Sequence, residues 1–82
     1  MNSFILNLKM EQAKSRKEKQ EIEIKIKRCF CELNSFVNPY YKSAKDIKAE
    51  EIEQIGDELL QLKTELAKIE LKIDELKEQL GE

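Results

Sequence analysis

The second half of the chain repeats aliphatic residues at alternating intervals of three and four without a miss. The series is Ile52, Ile55, Leu59, Leu62, Leu66, Ile69, Ile73, Leu76 and Leu80. This spacing places every member on one side of an α-helix and is typical of a coiled coil. We therefore predict a helix over about residues 44–80, and Gly81 suits its end.

The first half keeps the same spacing but fills it with less apolar residues, which predicts a helix over about residues 3–36. Its series is Ile5, Leu8, Gln12, Ser15, Lys19, Ile22, Ile26, Cys29, Leu33 and Phe36. We call the two series together the seam. Polar residues at Gln12, Ser15 and Lys19 can fix the register while lowering stability. The alternative is that this polar stretch accepts a helix of another protein.

A short break separates the two helices. Asn38-Pro39 ends the first helix, because proline disfavours a helical residue before it and supplies no backbone donor. Helix 2 restarts either at Pro39 or at Ser43, where Asp46 completes a capping-box pattern. A connection over about residues 37–43 is normal between antiparallel helices. We predict an all-α fold, an antiparallel two-helix coiled-coil hairpin that forms a single domain over residues 1–82.

Charge is consistent with this pairing. Residues 1–45 carry ten basic and five acidic side chains, whereas residues 46–82 carry five basic and twelve acidic ones. Two registers one heptad apart remain open, with Lys19 opposite either Leu62 or Ile69. We favour the second, which brings Phe30 close to the space left by Gly56. It also predicts the ion pairs Glu18–Lys72, Lys25–Glu65, Arg16–Glu70 and Glu23–Lys63.

Apolar residues also recur on the sides of the helices that face away from the seam. Leu60, Thr64, Ala67 and Leu71 form such a stripe on helix 2, and Leu6 and Met10 lie on the outer side of helix 1. A solitary hairpin should be polar there. We predict a homodimer that forms a four-helix bundle, with contacts through Leu6, Met10, Leu60 and Leu71. A parallel dimer of extended chains is the rival, and its flanking charges disfavour it.

Composition argues against most chemistry. The chain has no histidine, and its two glycines cannot form a phosphate-binding loop. Cys29 and Cys31 lie two residues apart, so on a helix they point away from each other. We predict no catalytic, cofactor or metal site. The longest apolar run, Phe4-Ile5-Leu6, is too short to span a membrane, and two cysteines without a secretion signal fit a cytoplasmic protein.

The connection supplies a candidate partner site at Phe36, Tyr40 and Tyr41, because loop tips often carry function. Asn38-Pro39-Tyr40-Tyr41 also resembles the N-P-x-Y turn that phosphotyrosine-binding-type adaptor domains recognise. The simpler interpretation is a structural bend closed by aromatic side chains. The initiating methionine and the Gly81-Glu82 end favour a complete small gene product.

The function that these features favour is a non-enzymatic protein–protein interaction or regulatory module, a homodimer with an unidentified protein partner. One alternative is a nucleic-acid-binding regulator that uses the basic helix 1. Dimeric helical hairpins of the ROP type bind RNA, although this is an analogy of fold alone. Another alternative is an acidic mimic of nucleic acid that binds a basic protein through helix 2.

Overall fold

A computed structural model describes residues 3–37 and 48–82 of the chain, which form two long helices. Helix α1 spans Ser3–Val37 and helix α2 spans Ala49–Leu80. Phe36 approaches Lys48 at one end, and Gln12 contacts Glu82 at the other. The helices are therefore antiparallel, and they form an all-α hairpin measuring 65 × 16 × 15 Å. Most of the predicted connection, residues 38–43, lies outside the described residues.

Local sequence favours both ends of α2. Glu50 and Glu51 lie in its first turn and Lys77 in its last, and each charge complements the helix dipole. At the end of the helix Gly81 adopts a left-handed conformation with φ 76°, which glycine tolerates best. The N–H groups of Gly81 and Glu82 donate to the carbonyl oxygens of Glu78 and Lys77 at 3.1 and 2.8 Å. These bonds satisfy carbonyl groups that the helix end would otherwise leave unpaired.

The helices pack along the seam. Every seam residue except Ile5 is buried or half-buried, and Glu18 is the one other half-buried residue among the described residues. The buried apolar core consists of Leu8, Cys29, Ile55, Leu62, Ile69, Ile73 and Leu76. Because α2 supplies five of these seven, its uninterrupted aliphatic series is the main source of the core.

Ile5 departs from the prediction, since 45% of its surface is exposed. Gln12 already reaches Glu82, so the residues of α1 before Leu8 extend past the last turn of α2. Gly81 ends α2 at that point, and no helical residue of α2 remains opposite Ile5. The seam prediction is therefore wrong at this one position, because the two helices are staggered.

Contacts across the seam decide between the two registers. The Nζ atom of Lys19 lies 3.7 Å from Oε1 of Glu70, next to Ile69. Cys29 packs in one cluster with Ile55 and Leu62, which places it level with the part of α2 midway between these two residues. Both contacts agree with the register that sets Lys19 opposite Ile69. They disagree with the alternative, which would move each contact by one heptad.

The four ion pairs predicted from that register do not form within the described residues. Glu70 pairs with Lys19 rather than with Arg16, and Lys72 pairs with Glu11 at 3.3 Å rather than with Glu18. The side chains involved are 38–50% exposed. Exposed pairs of this kind contribute about 0–1 kcal/mol, so small differences in reach select the partner.

Gly56 also differs from the prediction. Phe30 does not fill the space beside it, because a Cβ atom built on Gly56 would meet nothing within 4 Å. The ring of Phe30 is instead 53% exposed. The register is as predicted, but the contact that was expected to accompany it is missing.

Candidate interaction surfaces

The polar part of the seam is covered by α2. Gln12 is 6% exposed, and its Nε2 donates to Oε2 of Glu82 at 2.7 Å. Ser15 is fully buried, and its hydroxyl has no hydrogen-bond partner. Lys19 is half-buried and reaches outward to Glu70. This stretch is thus occupied within the hairpin, which disfavours the interpretation that it accepts a helix of another protein.

The four predicted dimer-contact residues are all exposed. Leu60 and Leu71 are 65% and 61% exposed, and Leu6 and Met10 are 48% and 63% exposed. Leu60 and Leu71 lie on one side of α2 about 16 Å apart, at 1.5 Å per residue. The hydroxyl of Thr64, between them, donates to the carbonyl of Leu60 at 3.0 Å and so leaves this stripe without an unmet polar group.

These four residues do not form a single patch. Since the seam residues of α1 face those of α2, the outer sides of the two helices point away from each other. Leu6 and Met10 also lie near the end of the hairpin where α1 extends past α2, whereas Leu60 and Leu71 flank its middle. One flat contact cannot cover all four side chains.

A second exposed apolar surface lies on a flank of the hairpin, and we call Phe30, Gly56 and Leu60 the flank patch. Phe30 follows Cys29, which packs between Ile55 and Leu62, so Phe30 is level with Gly56 and Leu60. At about 100° per residue, Phe30 and Gly56 each lie about 70° from the centre of the seam, on the same side. The sequence pattern did not indicate this surface, because the ring of Phe30 was expected to fill the space beside Gly56.

The opposite flank has a different character. It forms an open groove of about 420 Å³ whose floor is Ile22 and Ile69. Its walls carry Glu18, Glu21, Lys25, Glu65, Lys68 and Lys72. Equal numbers of acidic and basic side chains line it, so the groove offers no strong preference for a charged ligand. The groove is therefore walled by charged side chains, whereas the flank patch itself is apolar.

The two cysteines have different environments. Cys29 is buried and Cys31 is exposed. Burial raises the pKa of the Cys29 thiol, and the nearby carboxylate of Glu58, which also accepts its hydrogen bond, raises it further. A protonated, buried thiol is a poor nucleophile and a poor metal ligand. Within the described residues, no group of three or more potential ligands could hold a metal ion.

Basic side chains on the outer side of α1 remain apart from α2. Lys14, Lys17, Lys27 and Arg28 are exposed, and none forms an ion pair within the part of the chain that the structure describes. The acidic helix α2 thus pairs with Lys19 of α1 but with none of these four. They form a positively charged outer surface.

Of the proposed tip residues, only Phe36 is described. It is half-buried and packs against the cluster of Cys29, Ile55 and Leu62. The ammonium group of Lys48 lies 5.7 Å from the centre of its ring, within range of a cation–π interaction. Tyr40 and Tyr41 lie outside the described residues.

Neither described helix has a stretch long and apolar enough to cross a membrane. Comparison with known proteins identifies no relative. No protein-family model, no curated protein and no solved structure matches the chain.

Proposed function

We propose that the protein is a non-enzymatic protein–protein interaction module that acts as a homodimer, in which two hairpins form a four-helix bundle. The observation that carries this proposal is the exposure of Leu60 and Leu71 along one side of α2. Burying a leucine side chain stabilises an assembly by about 1.5–3 kcal/mol before association costs. Exposed leucines that are aligned on one face of a helix favour a contact surface more than scattered ones do.

Sedimentation equilibrium tests the homodimer. The wild-type chain is expected to show the mass of two chains, and the Leu60→Glu, Leu71→Glu double variant the mass of one. Buried carboxylates without partners would oppose association strongly. Gln61→Glu with Gln79→Glu is the matched control, because it adds the same charge at exposed positions of α2. Wild-type chains that sediment as monomers would contradict the proposal, and so would a double variant that remains dimeric.

A second candidate function is nucleic-acid binding through α1. It is favoured by the exposed, unpaired Lys14, Lys17, Lys27 and Arg28 on the outer side of that helix. Phosphate contacts release counterions, so binding of this kind weakens steeply as salt rises. Retention on heparin or RNA at low salt, lost in a Lys17→Glu, Lys27→Glu variant, would support this function. Absence of retention at low salt would exclude it.

A further inference from the structure

The flank patch has an apolar ring beside an unfilled space. Phe30 is 53% exposed and Leu60 is 65% exposed. A Cβ atom on Gly56 would meet nothing within 4 Å, so the backbone of α2 is open to close approach at this point. A glycine in the interior of an exposed helix costs about 1 kcal/mol relative to alanine. Close approach of another side chain to Gly56 would offset this cost.

A two-fold axis parallel to the long axis of the hairpin makes this flank complementary to itself. Rotation about such an axis leaves the height of every residue along the rod unchanged. It therefore lays α1 of one copy over α2 of the other. Because Phe30 is level with Gly56 and Leu60 in one chain, it is also level with them across the axis. The same contact forms twice, which closes the assembly at two copies.

Charge along the same flank agrees with this arrangement. Seven residues are close to two helical turns, so Glu23 lies on the same side as Phe30, and Lys63 on the same side as Gly56. Neither Glu23 nor Lys63 forms an ion pair within the described residues. The rotation that brings Phe30 over Gly56 of a second copy also brings Glu23 over its Lys63 and Arg16 over its Glu70, and these two attractive pairs outnumber the one like-charge pair, Lys9 over Lys77.

The other two-fold arrangement is disfavoured. An axis across the rod would lay α1 on α1 and α2 on α2. It would place the basic helix α1 of one copy against the basic helix α1 of the other. Opposite charges attract across an interface, whereas like charges placed together select against it. The chain's own asymmetry, a basic half and an acidic half, therefore favours the pairing of α1 with α2 of the second copy.

We propose that two hairpins associate about an axis along the rod, with Phe30 of each copy seated on Gly56 and against Leu60 of the other. This inference rests on the proposed homodimer and names its contact. Leu60 belongs both to the stripe on α2 and to the flank patch, and thus the two surfaces are continuous. The groove flank, with Glu18 and Lys25 on one helix and Glu65 and Lys72 on the other, then faces solvent.

Disulfide trapping between two variants, each with one exposed cysteine beside the buried native Cys29, tests the contact. Phe30→Cys and Gly56→Cys are prepared separately, each with Cys31→Ser, and mixed in a glutathione redox buffer. Both sites tolerate the change, because Phe30 is exposed and Gly56 has open space. A disulfide requires Cβ atoms about 3.5–4.5 Å apart. We expect a covalent heterodimer of the two variants as the main cross-linked product.

Lys25→Cys mixed with Glu65→Cys, also in the Cys31→Ser background, is the control on the opposite flank, and it should give little covalent dimer. Strong cross-linking of the control pair, or no cross-link between Phe30→Cys and Gly56→Cys in a sample that sediments as a dimer, would overturn the inference. In either case the proposed homodimer would stand. If the wild-type chain and all these variants sediment as monomers, the homodimer and its contact both fail.

Discussion

Replacement of Ser15 by alanine is expected to stabilise the hairpin. The Ser15 side chain has 0% exposed surface, and its hydroxyl has no hydrogen-bond partner. A buried polar group left unsatisfied costs about 1–3 kcal/mol. Alanine removes the oxygen atom and keeps the Cβ atom, so it leaves no large cavity. Alanine is also the better helix former, by up to about 0.7 kcal/mol. We therefore expect the free energy of unfolding to rise by about 1–3 kcal/mol.

Ser35→Ala is the control for this experiment. Ser35 lies on the same helix but is exposed, so its replacement changes helix propensity without changing a buried group. We expect it to add less than about 0.7 kcal/mol. The difference between the two variants isolates the cost of burying the Ser15 hydroxyl. Urea denaturation followed by far-UV circular dichroism measures both, at one protein concentration because dimerisation adds to apparent stability.

Two results would refute the reasoning. If Ser15→Ala destabilises the hairpin, the hydroxyl makes a favourable bond in solution, for example to a bound water. If Ser15→Ala gains no more than Ser35→Ala, burial of the hydroxyl carries no measurable penalty. In either case, the polar part of the seam would not be the weak part of the core.

Three further predictions concern particular residues. Cys31 should react rapidly with a thiol reagent that forms a coloured product, and Cys29 only at the rate of unfolding, since one is exposed and the other buried; equal rates would contradict this. The raised pKa of Cys29 means that the folded state holds this proton more tightly. The stability that the Cys29 thiol contributes should be complete at pH values below the ordinary thiol pKa, and it should be lost as the pH rises through the pKa of the folded state. Denaturation of the Cys29→Ala variant across the same pH range should not show this loss of stability. Gly81→Ala should cost about 1–2 kcal/mol in denaturation, because a left-handed conformation strains a residue with a Cβ atom; unchanged stability would indicate that this helix end frays.

The seam could be predicted from the sequence because burial on a helix follows its period. Leu62, Ile69 and Ile73 are buried for this reason, and so are the polar Gln12 and Ser15. Position in the series, rather than hydrophobicity, decided the burial of these two. The favoured register agrees with the structure, although the ion pairs and the Phe30–Gly56 contact that led to it do not form.

The local partners could not be predicted in the same way. Ile5 fits the series, but whether it is covered depends on the stagger between helices, which no single series contains. Ion pairs such as Lys19–Glu70 depend on which of several flexible side chains reaches a carboxylate first. Phe30 lies outside the series, so the period itself indicates exposure, and the error came from assigning its ring to the space beside Gly56.

The polar stretch of α1 and the apolar cluster around Cys29 lie towards opposite ends of the hairpin, and this bears on where a second copy would act. The polar stretch from Gln12 to Lys19 lies towards the end where α1 extends past α2, whereas Phe30 borders the cluster around Cys29. A contact at Phe30 would therefore be made beside the apolar cluster around Cys29 and away from the polar stretch of α1. Dimerisation there would leave the polar end to set the register, and would leave the exposed Leu6 and Met10 available to a different partner.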